Sequence, residues 1–317
     1  MKRAPIEAVY RWYFDPQPMQ PLVIARIVFG LCIFSAHVVR IPYVENLYGP
    51  SGLVGPALYH GLRPPIGYLD PIIGGWLASF VPEPGSGLTV FLFGALLVAS
   101  LCFAVGFWTR LSGLVTLALF AYFVRLRIPF AYWGWAIFMM PLLLYVIAAP
   151  TGRFLSVDAW LARRRSGEGP RPLSEWRAPG WPLRLMQIHL CTMYFVAGWS
   201  RIDEAGWLQG QVVFNAVNHT LFSRLTIDWQ PWKPLLSIGN WVAFVLEPVA
   251  PLLLWLPRIG VWWAYLLIAM HVGLELVTNI GMWSYLMVVL LTSFLPTAHL
   301  DAALRLLPGV SEVRTNR

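Results

Sequence analysis

Eight stretches of this chain are apolar over lengths close to the roughly 20 residues a helix needs to cross hydrocarbon. They lie at about 22–39, 87–107, 111–126, 130–149, 183–200, 235–256, 260–280 and 283–296. The last is short and the third is bounded by close arginines, so the expectation is seven or eight spans. A large soluble core would instead distribute its apolar residues at helical or strand periodicity. The composition agrees: 58% of residues are hydrophobic and 12% charged, where soluble domains carry roughly a quarter charged. The expected fold class is therefore all-α, a polytopic transmembrane helical bundle with additional interfacial helices.

Charge placement sets the expected orientation. The formal net charge is +8, yet the only lysines are Lys2 and Lys233, and the arginines fall mainly between apolar runs. That distribution follows the positive-inside rule and does not form a basic face for nucleic acid, which is excluded as a partner; membrane lipids are the expected surroundings. Arg153, Arg163, Arg164, Arg165, Arg171, Arg177 and Arg184 crowd the segment 151–184. With Lys2, Arg3, Arg11, Arg110, Arg258, Arg305 and Arg314 they place that segment and both termini in the cytoplasm of a cell-membrane protein; Arg125 and Arg127 run against this assignment.

Three regions follow: a cytoplasmic tail over 1–21, a transmembrane domain over 22–296 with a mobile cytoplasmic linker at about 151–182, and a cytoplasmic tail over 297–317. Between the first two spans a Gly/Pro-rich stretch holds a weaker apolar segment, Ile66 to Val81, of re-entrant or interfacial type. The tryptophan-rich stretch 201–234 reads as an amphipathic helix and loop at the membrane surface, and both stretches fall on the outer side together. Trp12, Tyr13, Trp76, Trp108, Trp133, Trp181, Trp207, Trp229, Trp232 and Trp241 at span ends read as an interfacial belt. No small-residue cleavage site follows the first run, which is expected to act as an uncleaved signal anchor. Cys32, Cys102 and Cys191 are widely spaced within apolar runs and are expected as packed thiols.

Ionisable groups inside hydrocarbon are costly, so each needs a reason. Asn240 and Glu247, seven residues apart, share a helix face ahead of Pro248 and Pro251. His271, Glu275 and Thr278 share another, with Asn279 beside them. The His271/Glu275 spacing suits an intramembrane hydrogen bond or half of a metal site; no second ligand pair of matching spacing exists, and no metal is expected. Arg26 and His37 lie near span ends, where snorkelling accounts for them. His189 is alone on its face and reads as a satisfied bundle histidine. Arg201 closes the fifth span, with Ala197 and Gly198 one turn earlier leaving room for a ligand or a neighbouring backbone. Two readings of it stand. It binds an anion or stabilises developing negative charge, or it snorkels or pairs with Asp203 or Glu204.

These residues carry a resemblance to a known family. Arg26–Ile27–Val28–Phe29–Gly30, Gly106–Phe107–Trp108–Thr109–Arg110, Leu155–Ser156–Val157–Asp158–Ala159, the run 194–210 (YFVAGWSRIDEAGWLQG), Glu247–Pro248 and the run 271–287 (HVGLELVTNIGMWSYLM) occur in that order. Together they resemble the HTTM (horizontally transferred transmembrane) domain, the membrane part shared with vitamin K-dependent gamma-carboxylases. In those enzymes a lysine pair after the Ala-Gly step supplies the base that deprotonates the reduced quinone. Here Ser200 and Arg201 occupy those positions. The family's histidine also lacks a match near Ala131–Tyr132–Trp133–Gly134, where Pro129 and Phe130 stand. With about twenty residues after the last span, the large extracytoplasmic substrate-holding region of the carboxylases is not expected either.

The resemblance thus implies the fold without gamma-carboxylation. It points to a membrane enzyme with an outward-facing pocket for a reduced quinone or another lipid-soluble substrate. Arg201, His271, Glu275 and Glu247 are its candidate catalytic residues, and Ser200, Tyr194, Asn279 and Trp283 its candidate cofactor-binding residues. The alternative is a non-catalytic accessory, maturation or immunity protein for a secreted peptide. Transport is disfavoured because the halves show no matching repeats.

Overall fold

A computed structural model describes residues 4–49, 52–53, 86–127 and 134–306. In chain order its elements are α1 (Ala4–Phe14), β1 (Pro16–Pro18), α2 (Gln20–Val38), α3 (Val44–Tyr48), α4 (Ser86–Val105), α5 (Thr109–Arg127), α6 (Gly134–Ala148) and α7 (Val157–Ser166). They continue with β2 (Arg177–Pro179), α8 (Trp181–Ser200), α9 (Ala205–Leu208), α10 (Val212–Asn218), α11 (Lys233–Leu253), α12 (Ile259–Val277), α13 (Trp283–Leu291) and α14 (Thr297–Leu304). The chain is therefore nearly all α-helical, and each of the eight apolar stretches coincides with a helix. Among the described residues, α2, α4, α11 and α12 are long and apolar enough to cross a membrane. The apolar helical stretches Thr109–Val124, Gly134–Ala148 and Trp283–Phe294 are shorter, and α8 is diluted by Arg184, Gln187 and His189. The segment Ile66 to Val81, together with Lys2, Arg3, Trp76, Pro129, Phe130, Ala131, Tyr132, Trp133 and Arg314, lies outside the described residues.

The helices fall into two compact units: Met1–Ala25, Ala148–Pro150 and Arg163–Arg317 form one, and Arg26–Ile147 with Thr151–Ala162 the other. In the second unit a single polar knot ties three of the short motifs together. Arg26 is fully buried and does not snorkel. Its Nη1 donates to the carbonyls of Thr151 (2.7 Å) and Phe154 (3.1 Å), and its Nη2 to that of Leu155. A buried guanidinium needs several acceptors, and this turn presents three within five residues. Three residues on, the Asp158 carboxylate accepts from the backbone N–H groups of Trp108 and Thr109 (both 2.8 Å) and from the Thr109 hydroxyl (2.7 Å). It thereby caps the start of α5, where a negative charge meets unpaired amides. Gly106 is required here: its φ is +71°, and a Cβ there would lie 2.4 Å from Ser156 Cβ and 3.1 Å from Arg26 Cζ. His37 is likewise buried, its Nδ1 2.8 Å from the Ile33 carbonyl.

The first unit is organised around α8 and α11. They pass so closely that a Cβ on Gly198 would lie 2.7 Å from the Pro248 backbone, so the space beside Gly198 is taken by a neighbouring helix. The expected tails and linker hold ordered structure. β1 pairs antiparallel with β2, Gln17 opposite Ala178. Gln20 Nε2 donates to the Leu173 carbonyl (3.1 Å) and to Asp301 in α14 (3.0 Å). The amphipathic helix expected within 201–234 is replaced by two short helices, α9 and α10.

Replacing Asp158 with alanine leaves amides at the start of α5 without acceptors. A loss of about 2 kcal/mol is expected, read as a lowered thermal midpoint in detergent. An unchanged midpoint would contradict the knot.

Candidate functional site

Helix α8 places a residue on one face every three or four positions: Gln187, Cys191, Tyr194 and Gly198 are all buried, and Arg201 follows at the helix end. Three of these positions have specific partners in the same unit. Gln187 Nε2 donates to the Ser293 carbonyl (2.7 Å). The Tyr194 hydroxyl lies 2.9 Å from His271 Nε2 on α12. Arg201 Nη1 lies 2.6 Å from Glu247 Oε2 on α11. Tyr194 and His271 are 1% and 2% exposed, and electrostatic interactions reach from Arg201 to both and from Glu247 to Tyr194. Tyr194, Glu247 and His271 are buried and Arg201 is partly so, and the four make one cluster.

Arg201 is shaped from a second side. Its guanidinium sits over the Trp207 ring, 4.1 Å from the ring centre, a cation–π arrangement strengthened by poor access of water. Trp207 is held in turn by Asn240, whose Nδ2 donates to the Trp207 carbonyl (3.0 Å) while its Oδ1 accepts from the Val212 amide (3.1 Å). Seven residues apart on α11, Asn240 and Glu247 fix Arg201 from opposite directions, one through Trp207 and one by charge. Asp203 and Glu204, the local partners considered for Arg201, are not its ion-pair partners.

Two polar atoms at the cluster matter for chemistry. His271 Nδ1 is buried and has no hydrogen-bond partner among the described residues. Arg201 Nη1 lies in the charge contact with Glu247 and makes no hydrogen bond of good geometry among the described residues, and the Arg201 side chain is 18% exposed. The first is open to a donor or acceptor; the second is held by charge.

The expected His271–Glu275 hydrogen bond is not formed. Each residue finds a partner elsewhere, because i,i+4 spacing brings two side chains near without aligning their polar atoms. Glu275 pairs with Arg224 of the loop after α10. That loop is also held by Arg224 Nε to the Thr278 carbonyl (3.3 Å) and by the Asn279 amide to the Phe222 carbonyl (2.7 Å). Glu275 and Asn279 therefore belong to a loop clasp one turn beyond His271. Ser200 faces away: it is exposed and its hydroxyl donates to the Ala197 carbonyl (3.0 Å). Trp283 is half-buried at the start of α13. Among the described residues no group of three or more His, Cys, Asp or Glu could hold a metal ion.

The sequence pattern read Trp207 as one of the interfacial-belt aromatics, where the structure sets it against Arg201, and it pointed neither to Arg224 nor to the positioning role of Asn240. Trp207 did lie inside the quoted run 194–210. Arg224 had no local signal, since Glu275 is far along the chain.

The apolar helices and the enclosed charge cluster define an integral membrane protein whose polar groups are gathered inside a helical unit. Its family can be stated. The sequence model of the HTTM domain matches residues 73–298, so the chain belongs to the HTTM domain family. No curated protein and no solved structure matches it.

Gly198→Val would force α8 from Pro248 and stretch the Arg201–Glu247 contact. Overpacking of this kind costs about 1–3 kcal/mol, so a clear fall in thermal midpoint is expected. A variant as stable as the wild type would contradict the close crossing.

Proposed function

We propose that this HTTM protein is a membrane enzyme acting on a lipid-soluble hydroxyl compound of the reduced-quinone class, at the Tyr194–His271–Arg201–Glu247 cluster. The observation that carries the reading is the buried His271, bonded through Nε2 to Tyr194 and left without a partner at Nδ1 among the described residues. A buried polar atom without a partner costs of order 1–3 kcal/mol, and a hydroxyl group supplied by a ligand would satisfy it.

The residues suggest a division of work. A reduced quinone would supply an acidic hydroxyl whose proton must go to a base. Tyr194 fixes the His271 ring, and His271 Nδ1 orients the hydroxyl. Glu247 takes the proton as the O–H bond breaks. Arg201, released from its carboxylate partner as Glu247 becomes neutral, then pairs with the oxygen left negative. The net charge of the site is unchanged by this exchange, which matters where charge separation is poorly screened. Glu275, engaged with Arg224, holds the loop clasp in this scheme.

Gamma-carboxylation is not part of the proposal. Ser200 and Arg201 stand where that chemistry has lysines, and Lys233 starts α11, fourteen residues from Glu247, or about 21 Å along the helix.

In this reading the shorter and more polar helices also cross, giving the even count within the expected seven or eight spans of the cell membrane, with an outward-facing site. Both termini and the segment 151–184 are cytoplasmic. What supports the common side is Gln20, at the start of α2, which bonds both Leu173 and Asp301.

Mass spectrometry of the protein purified from its native membrane tests the assignment. A co-purified quinone-type lipid is expected, reduced at least about tenfold, roughly 1.4 kcal/mol, in folded Arg201→Gln and His271→Phe variants. Phospholipid alone in wild type and variants would overturn the proposal and favour an accessory role in maturation of, or immunity to, a secreted peptide.

A further inference from the structure

Helix α1 lies outside the apolar stretches, yet it exposes large apolar side chains: Ile6 is 73% exposed, Val9 64% and Tyr10 62%. Ile6, Val9, Tyr10, Tyr13 and Phe14 follow the spacing i, i+3, i+4, i+7, i+8, which gathers them into one stripe on a helix. Glu7 and Arg11 form an i,i+4 ion pair beside that stripe (2.6 Å). A third face is occupied by protein. The Trp12 ring packs 5.6 Å from Trp255, Arg184 lies 4.7 Å over it, and Arg184 Nε donates to the Trp12 carbonyl (3.2 Å). With one face docked and one paired by charge, the apolar stripe is the face left open.

The chain around α1 says what covers it. Two residues after Pro18, α2 begins as an apolar helix of 19 residues, about 28 Å long, so its first turn falls near the boundary of the hydrocarbon. β1, pinned to β2, leaves α1 little freedom to leave that depth. The β2 side is rich in arginine: residues 163–184 carry six arginines against Glu168 and Glu175, and Arg177 donates to the Pro16 carbonyl (2.8 Å) directly beside α1. An apolar and aromatic stripe rimmed by arginine matches a membrane surface bearing negative charge.

We propose that α1 lies in the plane of the membrane, with the Ile6–Val9–Tyr10–Phe14 face set into the headgroup layer of anionic lipids on the arginine-rich side. The helix then acts as a collar for α2 and α8, docked on the bundle by Trp12 and on the bilayer by its opposite stripe. This inference does not depend on the chemistry proposed for the buried cluster.

Site-directed fluorescence tests it on the full chain in nanodiscs. Val9→Cys and Glu7→Cys variants are labelled with bimane, with wild-type labelling of the native cysteines subtracted. In nanodiscs containing phosphatidylglycerol, the label at position 9 is expected to be quenched at least about threefold less by aqueous iodide than the label at position 7, and strongly by lipids carrying a shallow nitroxide. In phosphatidylcholine alone the protection should weaken. Equal iodide quenching at both positions would overturn the proposal. So would protection at position 9 without nitroxide quenching, especially with crosslinking between copies, which would assign the stripe to a second molecule. Protection that is the same in both lipids would overturn the anionic-lipid requirement.

Discussion

A guanidinium withdrawn from water must be given acceptors, and the geometry of this protein follows from where it meets that demand at Arg201. The Glu247 carboxylate at 2.6 Å neutralises the charge, but neutralisation alone would leave a flexible side chain free to turn toward solvent. Trp207 beneath the guanidinium removes that freedom, and Asn240 fixes Trp207. The close crossing of α8 and α11 at Gly198 and Pro248 lets a residue at the end of one helix reach a carboxylate on the other. Remove any of these and the pair becomes two separate desolvated charges, a far more costly state than the bonded one.

Arg26 solves the same problem differently. Among the described residues it has no carboxylate in hydrogen-bonding contact, and it uses three carbonyls of the turn at 151–155, those of Thr151, Phe154 and Leu155. That solution makes it a structural tie, with both Nη groups donating to the turn. Arg201 is held by a charge contact and by a ring face, and shares its cluster with a histidine whose Nδ1 has no hydrogen-bond partner among the described residues. The contrast is the reason for assigning chemistry to one arginine and architecture to the other.

Much of the fold was legible from apolar run length. The stretch 22–39 is α2, 183–200 is α8 and 260–280 is α12, each with ends displaced by at most a few residues, because hydrocarbon-length apolar runs admit little but helix. What they could not give is which helices meet. Snorkelling of Arg26 was a reasonable inference from distance to a span end, and it failed because the acceptors lie 125 to 129 residues away. His271 and Glu275 were linked by their spacing, and each is claimed by a different part of the chain, Tyr194 and Arg224. The tail and linker were judged by their polarity. Their order comes from strand pairing and from Gln20, which sequence pattern does not reveal. Of the site, Arg201, Glu247 and His271 were visible as ionisable groups inside apolar runs; their division into a coupled cluster and a separate loop clasp was not.

The coupling of Arg201 to Glu247 is the claim on which the rest stands, and a double-mutant cycle measures it directly. Arg201→Met and Glu247→Leu are made singly and together, and unfolding free energies are compared in one detergent. Each single variant is expected to lose about 3–5 kcal/mol by stranding its partner, while the double variant loses much less than the sum, because no unpaired charge remains. Losses that simply add would show that the two groups do not sense one another, and would contradict the account.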